Sequence, residues 1–212
     1  MNITIIGATG NAGSRIVTEA LHRGHKVRAI VRQESRNKVE ARPDLTIETG
    51  DILDAQGLAS VMEPGGCVVS AYGPPADQVE KLMDATRSLL AACKAAQVKR
   101  LIVVGGAGSL YVDSNTQLVD TPNFPAAVKP VAMAHRDTLK MLKQEDELNW
   151  TYISPSAMFG PGERTGVYRR GTDQLLVDKD GNSSISMEDY AIALLDEIEQ
   201  PKVSKARITV GY

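Results

Sequence analysis

The sequence predicts an α/β protein: a doubly wound, mostly parallel sheet with helices on both faces and a small C-terminal extension. Two observations lead to this prediction. Short runs of β-branched residues alternate with stretches of helical periodicity, and a glycine-rich turn directly follows the first run. The length of 212 residues suits one large domain better than two small ones. We therefore expect a single domain over residues 1–212.

The chain carries the repeated pattern up to residue 154. The helix with the clearest apolar face is Asp77–Gln97, where apolar residues recur every three or four positions. Because apolar strands alternate with helices, we expect parallel strands that are covered on both faces. Six runs are predicted as strands: Asn2–Ile6, Lys26–Val31, Leu45–Thr49, Cys67–Ala71, Arg100–Val104 and Trp150–Ser154.

Residues 155–212 are less regular and are expected to form a small region on the substrate side. Prolines and glycines predict a long loop over Phe159–Thr172. An Asp-Gly pair predicts a hairpin between Gln174–Val177 and Asn182–Ile185. Ser186 is expected to cap a helix that ends before Pro201, and Ala206–Val210 is expected to be the last strand.

Composition narrows the range of functions. The net charge is -2, so nothing attracts a nucleic acid, and no apolar run approaches the roughly 20 residues of a membrane span. We expect a cytoplasmic monomer or homodimer that acts on a small molecule, without nucleic-acid or membrane partners. Cys67 and Cys93 lack the spacing of a metal or redox motif and are expected in the core, so no metal site is predicted.

The glycine turn is the clearest functional motif. Gly7, Gly10 and Gly13 follow a strand and open a helix. This arrangement permits a tight turn, a close approach of the backbone to a pyrophosphate, and close helix-to-strand packing. The phosphates then meet free backbone N–H groups at the helix N-terminus. We predict a dinucleotide site that also includes Thr9, Asn11 and Ala12. A methyl-donor site and a turn without a ligand remain alternatives.

The end of the second strand indicates which dinucleotide is bound. Arg32 stands where an acidic residue would accept from a ribose 2′-hydroxyl, and a guanidinium favours a 2′-phosphate. NADPH is therefore preferred over NADH, although Glu34 is close and a solvated arginine is the alternative. Asp51, followed by Ile52, is expected to accept from the adenine amino group, with a helix cap as the alternative reading.

These motifs resemble the atypical short-chain dehydrogenase/reductase superfamily, in its NmrA-like and biliverdin-reductase-B-like branch. The segments Ser154-Pro155-Ser156-Ala157, Pro161–Gly166 and Glu188-Asp189-Tyr190-Ala191 are similar to bacterial proteins called NADH-flavin reductases. The resemblance implies a Rossmann-type sheet, bound NAD(P) and hydride transfer to free flavin. It places three groups of residues near the cofactor: Ala71, Tyr72 and Gly73 on the adenine side; Gly105, Gly106 and Ser109 beside the nicotinamide; and Pro155 and Ser156 against the ring.

The catalytic pair of ordinary superfamily members is a tyrosine with a lysine four residues later, and no tyrosine of this chain has that lysine. The expected positions fall near Ala132 and Arg136. Reduction of a carbonyl would therefore lack its usual acid, whereas flavin reduction can draw its proton from water. His135 is the titratable candidate for a donor to the substrate, with a solvated histidine as the alternative. His22 and His25 are expected on the surface.

The glycine-rich loop after the sixth strand is the candidate substrate loop. Arg164 and Tyr168 suit a lid over a planar anion such as FMN, with arginine for the phosphate and tyrosine for stacking. A structural connection is the competing interpretation. FMN or another flavin would be a passing substrate, because the chain has few aromatic residues. A non-catalytic, NmrA-like protein that senses NADP is the alternative function.

Overall fold

The computed structural model describes all 212 residues and contains an eight-stranded sheet in the order β3-β2-β1-β4-β5-β6-β10-β8. Neighbouring strands run parallel except β8, which is antiparallel to β10. The predicted α/β class with a mostly parallel sheet is confirmed. The strands of this sheet are β1 (Asn2–Ile6), β2 (Lys26–Val31), β3 (Leu45–Thr49), β4 (Cys67–Ser70), β5 (Arg100–Val104), β6 (Trp150–Ser154), β8 (Arg169–Gly171) and β10 (Ala206–Gly211).

Helices cover both faces of this sheet. One face packs against α1 and α5 through a core that includes Ile5, Ile16 and Tyr190. The other face packs against α2, α3 and α4 through a core that includes Leu89 and Trp150. No helix is long and apolar enough to cross a bilayer. The helices are α1 (Asn11–His22), α2 (Ala55–Val61), α3 (Lys81–Ala95), α4 (Lys129–Leu142) and α5 (Met187–Glu199).

The C-terminal third differs most from the prediction. The hairpin is wrong: Gly181 does adopt the positive φ of a turn, but Gln174–Val177 forms no strand. Instead, β9 (Ser184–Ser186) pairs in parallel with β7 (Met158–Gly160) to form a second small sheet. The predicted long loop therefore contains the end of β7 and all of β8. The Ser186 cap is confirmed, because its hydroxyl accepts from the backbone N–H of Asp189 at 3.0 Å.

Burial and helix bounds decide three further predictions, which concern the two cysteines, His25 and the helix predicted from Asp77. Cys67 and Cys93 are buried free thiols, as expected, and burial raises the pKa of each to about 12. His25 is not on the surface: it is buried between the N-terminal ammonium and Glu199, to which its Nε2 lies 2.7 Å away. The helix predicted from Asp77 begins later, at Lys81, after a 3₁₀ turn.

The strand order reverses between β1 and β4, where the chain crosses from one half of the sheet to the other. In open α/β sheets, ligands bind in the crevice at the carboxyl ends of the strands beside such a point. The glycine turn follows β1 and the segment from Ala71 follows β4, so both lie at this crevice. The fold therefore places the predicted cofactor residues at the edge of the sheet where a ligand is expected.

Candidate functional site

The glycine turn is so tight that two of its glycines have no room for a side chain. Gly7 has φ +80°, and a Cβ there would lie 2.6 Å from the carbonyl oxygen of Ala71. A Cβ on Gly13 would lie 2.0 Å from the carbonyl oxygen of Gly7, which fixes α1 directly against the turn. Both positions therefore require glycine for packing, as the motif predicts.

Gly10 is glycine for a different reason. It is the N-cap of α1, with an ordinary φ of -78°, and no side chain caps the helix. A Cβ on Gly10 would approach only the oxygen of Gly7, at 3.3 Å. The N-terminus of α1 therefore presents uncapped backbone N–H groups and the positive end of the helix dipole. This cradle fits the pyrophosphate of a dinucleotide, and Thr9, Gly10 and Asn11 are exposed beside it.

The far end of the crevice carries two charged side chains, Arg32 and Asp51, that are exposed and form no buried ion pair. The Arg32 side chain is 66% exposed, and its partner within 4 Å is the equally exposed Glu34, at 3.2 Å. Asp51 is also exposed; one carboxylate oxygen accepts from the N–H of Leu53. The helix-cap alternative for Asp51 is excluded, because Asp54 caps α2. Arg32 and Asp51 therefore remain available to a ligand.

Tyr72 connects this charged end to the middle of the crevice. Its ring is half-buried and lines a narrow space with Ile52. Burial raises the pKa of Tyr72, the nearby Arg32 opposes that rise, and Asp51 adds to it. The segment after β4 thus lies beside both charged residues, as the resemblance implies. Gly73 is exposed, and a Cβ added there would point into open space.

The loop after β5 rests on a tyrosine that the sequence analysis did not identify. The buried hydroxyl of Tyr152 accepts from the N–H of Gly106 at 3.0 Å and donates to the carbonyl of His135 at 3.0 Å. A Cβ on Gly105 would lie 2.2 Å from the Tyr152 ring. Tyr152 therefore fixes the loop against α4. The pair of glycines opposite a strand tyrosine was the available signal, but only the fold brings them together.

Two serines predicted beside the nicotinamide have structural partners. Ser109 is buried, and both its hydroxyl and its carbonyl accept from Arg207, which also pairs with Asp173. The Ser109 hydroxyl thus accepts from a buried arginine, and its tentative catalytic role beside the nicotinamide stays a prediction. Ser156 is buried as well, and its hydroxyl donates to the carbonyl of Val210 at 3.1 Å. Pro155 and Ser156 can contact a ligand only through their backbone and the proline ring.

The two predicted lid residues, Arg164 and Tyr168, also bind other parts of the protein. Arg164 donates twice to the buried carboxylate of Glu19 on α1, at 2.9 and 3.0 Å. The Tyr168 hydroxyl donates to Asp196 on α5 at 2.6 Å. Both side chains therefore fasten the loop to the outer helices, which supports the structural-connection alternative. Their roles in holding a phosphate and stacking on FMN stay predictions, and the first would require Arg164 to leave Glu19.

The model of the NAD(P)H-binding family matches residues 7–201, which include the glycine turn and the crevice. The chain belongs to this family. YwnB of Bacillus subtilis, an uncharacterized protein, is 45% identical over 213 residues, 99% of this chain and 98% of YwnB. Cinnamoyl-CoA reductase 2 of Medicago truncatula is 26% identical over 75% of this chain and 54% of its own length. The resemblance to atypical short-chain dehydrogenases/reductases is confirmed.

Two solved structures share the whole fold. A Streptococcus pneumoniae protein described as a "putative NADH-flavin reductase" is 38% identical with a TM-score of 0.87, and the match covers 100% of this chain and 99% of that one. A Bacteroides thetaiotaomicron protein described as a "putative epimerase" is also 38% identical, with a TM-score of 0.92 and coverage of 100% and 96%. The fold is that of an NAD(P)H-binding oxidoreductase, and its cofactor is a nicotinamide dinucleotide.

Proposed function

We propose that the protein is an oxidoreductase that uses NADPH in preference to NADH and transfers hydride to free flavin, such as FMN, or to a similar planar acceptor. The observation that carries the proposal is a crevice with an uncapped helix N-terminus and an exposed arginine, next to a helix, α4, that has an alanine where the superfamily keeps its catalytic tyrosine. The crevice explains the cofactor, and the missing acid restricts the acceptor.

The residues that would hold the dinucleotide fit it chemically. Backbone N–H groups of Asn11, Ala12 and Gly13 lie at the uncapped end of α1 and suit a pyrophosphate. Arg32 suits a 2′-phosphate because its guanidinium is exposed and can form a forked pair with phosphate oxygens. The free carboxylate oxygen of Asp51 suits the adenine amino group. When bound, the nicotinamide supplies a hydride.

The α4 side of the site lacks a proton donor of the usual kind. Ala132, at the expected tyrosine position, faces Gly108 so closely that a Cβ on Gly108 would lie 2.8 Å from the alanine methyl. Arg136, at the expected lysine position, pairs with Asp120 at 3.0 Å. A carbonyl acceptor would develop an alkoxide without a side chain to protonate it, whereas an isoalloxazine spreads the charge over its rings. A planar, delocalised acceptor is therefore favoured.

The comparisons support this proposal more than an epimerase. The description of the Streptococcus pneumoniae protein names a flavin reductase. The epimerase description of the Bacteroides thetaiotaomicron protein would imply chemistry that, in this superfamily, uses the tyrosine and lysine that this chain lacks.

The missing pair also favours one second candidate, a non-catalytic NmrA-like protein that binds NADP and reports its level to a partner. Such a protein needs the crevice but no acceptor site. One assay separates the two candidates: purified protein is mixed with NADPH and FMN, and the absorbance of the reduced nicotinamide is followed. Oxidation above the protein-free rate supports the reductase. Tight NADPH binding without oxidation of NADPH would instead support the non-catalytic NADP-binding protein.

A further inference from the structure

His135 lies beside the segments that follow three strands of the sheet, β3, β4 and β5. It is on α4, and its β-carbon would lie 3.0 Å from a Cβ placed on Gly106, in the loop after β5. Its ring borders the same narrow space as Tyr72 after β4 and Ile52 after β3. Residues Ile52, Tyr72 and Gly106 belong to the proposed cofactor crevice, so His135 lies on the wall of that crevice rather than in open solvent.

No charged group lines the space around the ring. The neighbours from α3 are apolar residues and Thr86; from β4 and β5 they are Ser70 and two valines; from α4 the neighbour is Thr138. Tyr72 is the other titratable group there. Charged residues that flank His135 on α4 pair outward, Arg136 with Asp120 and Asp137 with Lys140. Nothing in this space stabilises a positive imidazolium.

Neither ring nitrogen has a hydrogen-bond partner within the protein, and Nδ1 is fully buried. Burial lowers the pKa of His135 to about 4. A neutral imidazole carries one N–H, and a buried lone pair is tolerated better than a buried, unpaired N–H. The Nε2–H tautomer is therefore favoured, with Nε2 as the nitrogen left to a ligand.

We infer that His135 is a neutral hydrogen-bond donor that contacts an uncharged oxygen, a hydroxyl or carbonyl, of the dinucleotide or of the acceptor. This inference rests on the proposed function of the same crevice and changes the role expected of the residue. His135 binds and orients the ligand, and it does not supply the proton for reduction. That proton comes from water, so the pH profile of kcat should show no titration of a histidine near neutral pH.

The first test needs no turnover. Two-bond ¹H–¹⁵N spectra of the imidazole rings are recorded between pH 5.5 and 8.5, and the His135 signals are assigned from their loss in His135→Gln. We expect the pattern of a neutral Nε2–H ring throughout that range. A ring that becomes charged within it overturns the inference.

The second test measures binding and turnover in variants. In His135→Ala, either the Kd for NADPH or the KM for the acceptor should rise about tenfold, on the order of one hydrogen bond. A rise in Kd assigns the oxygen to the dinucleotide, and a rise in KM assigns it to the acceptor. His135→Gln keeps an N–H donor and should recover much of the loss, whereas the solvent-side control Asp137→Asn should change neither constant.

Three further outcomes overturn the inference: unchanged Kd and KM in a folded His135→Ala protein, equal losses in the alanine and glutamine variants, or a titration of kcat near neutral pH that the glutamine variant removes. If the protein proves to have no reductase activity, the spectra and the NADPH Kd still decide whether His135 is a neutral ligand-binding residue. Failure of the proposed function is thereby distinguished from failure of this inference.

Discussion

Replacing Gly13 by alanine tests whether the glycine turn is built as the structure shows. The new β-carbon would lie 2.0 Å from the oxygen of Gly7 and 2.8 Å from its carbonyl carbon. An ordinary carbon-to-oxygen contact is about 3.3 Å or more, so α1 must move away from β1 by roughly 1 Å. Neither neighbour is a flexible side chain, and the contact atoms belong to the backbone of the turn itself.

Overpacking of this kind costs about 1 to 3 kcal/mol of unfolding free energy. For a chain of this size, that cost lowers the Tm by about 2–4 °C for each kcal/mol. NADPH binding should weaken as well, because displacement of α1 moves the N–H groups that cradle the pyrophosphate. Urea unfolding gives the stability change, and fluorescence titration with NADPH gives the affinity.

Gly10→Ala is the matched control within the same turn. Its β-carbon would meet the Gly7 oxygen at 3.3 Å, and its φ of -78° suits alanine. Stability should therefore change by less than about 1 kcal/mol, while the new methyl group stands at the helix terminus and weakens NADPH binding about tenfold. If Gly13→Ala is as stable as the wild type, or if Gly10→Ala binds NADPH unchanged, the structural roles assigned to these two glycines are wrong.

Three other substitutions test separate parts of the molecule. Arg32→Asp should weaken NADPH binding about 10- to 100-fold and spare NADH, whereas Glu34→Gln should strengthen NADPH binding; unchanged affinities would reject the ribose-phosphate assignment. Glu197→Gln should cost about 3 to 5 kcal/mol of unfolding free energy, because this fully buried carboxylate pairs with Arg100 and Arg170; a cost below about 1 kcal/mol in urea unfolding would contradict it. Burial alone would raise the pKa of Asp189, but hydrogen bonds lower it overall, so stability should decline as the pH falls below about 4, and Asp189→Asn should flatten that decline in acid titrations of the Tm.

The repeated part of the fold could be predicted because its signals are local. Five of the six strands predicted up to residue 154 have the observed bounds, and the sixth, from Cys67, is one residue shorter. Apolar β-branched runs with turn residues at both ends leave little choice of register. The glycine turn was equally readable, since its three glycines, the strand and the helix occupy consecutive residues.

The C-terminal third could not be predicted in this way, because its order depends on distant partners. β7 and β9 have three residues each, and their pairing joins Met158 to Ser184. Arg164 is held by Glu19, 145 residues earlier in the chain. His25 is buried through Glu199, 174 residues later. Charges that seemed free for a ligand in the sequence are neutralised by residues that only the fold brings near.

The partners of the arginines in the segment after β7 lead to a prediction about the acceptor. Every arginine in the loop after β7 and in β8 already has a partner: Arg164 binds Glu19, Arg169 donates to two carbonyl oxygens, and Arg170 binds Glu197. Arg164 and Arg170 are therefore neutralised by carboxylates, and Arg169 would have to give up its carbonyl partners to hold the phosphate of FMN.

If flavin is the acceptor, riboflavin and FMN should therefore have KM values within about tenfold of each other, because a free phosphate contact would be worth more than about 1.4 kcal/mol. Steady-state kinetics with both flavins, at one NADPH concentration and constant ionic strength, measures the ratio. A preference for FMN of about 100-fold or more would require a phosphate-binding cation, and this loop would then have to release one of its arginines on binding. A ratio near one instead indicates that selection acts on the isoalloxazine rings, while the charged end of the crevice, with Arg32, selects the cofactor.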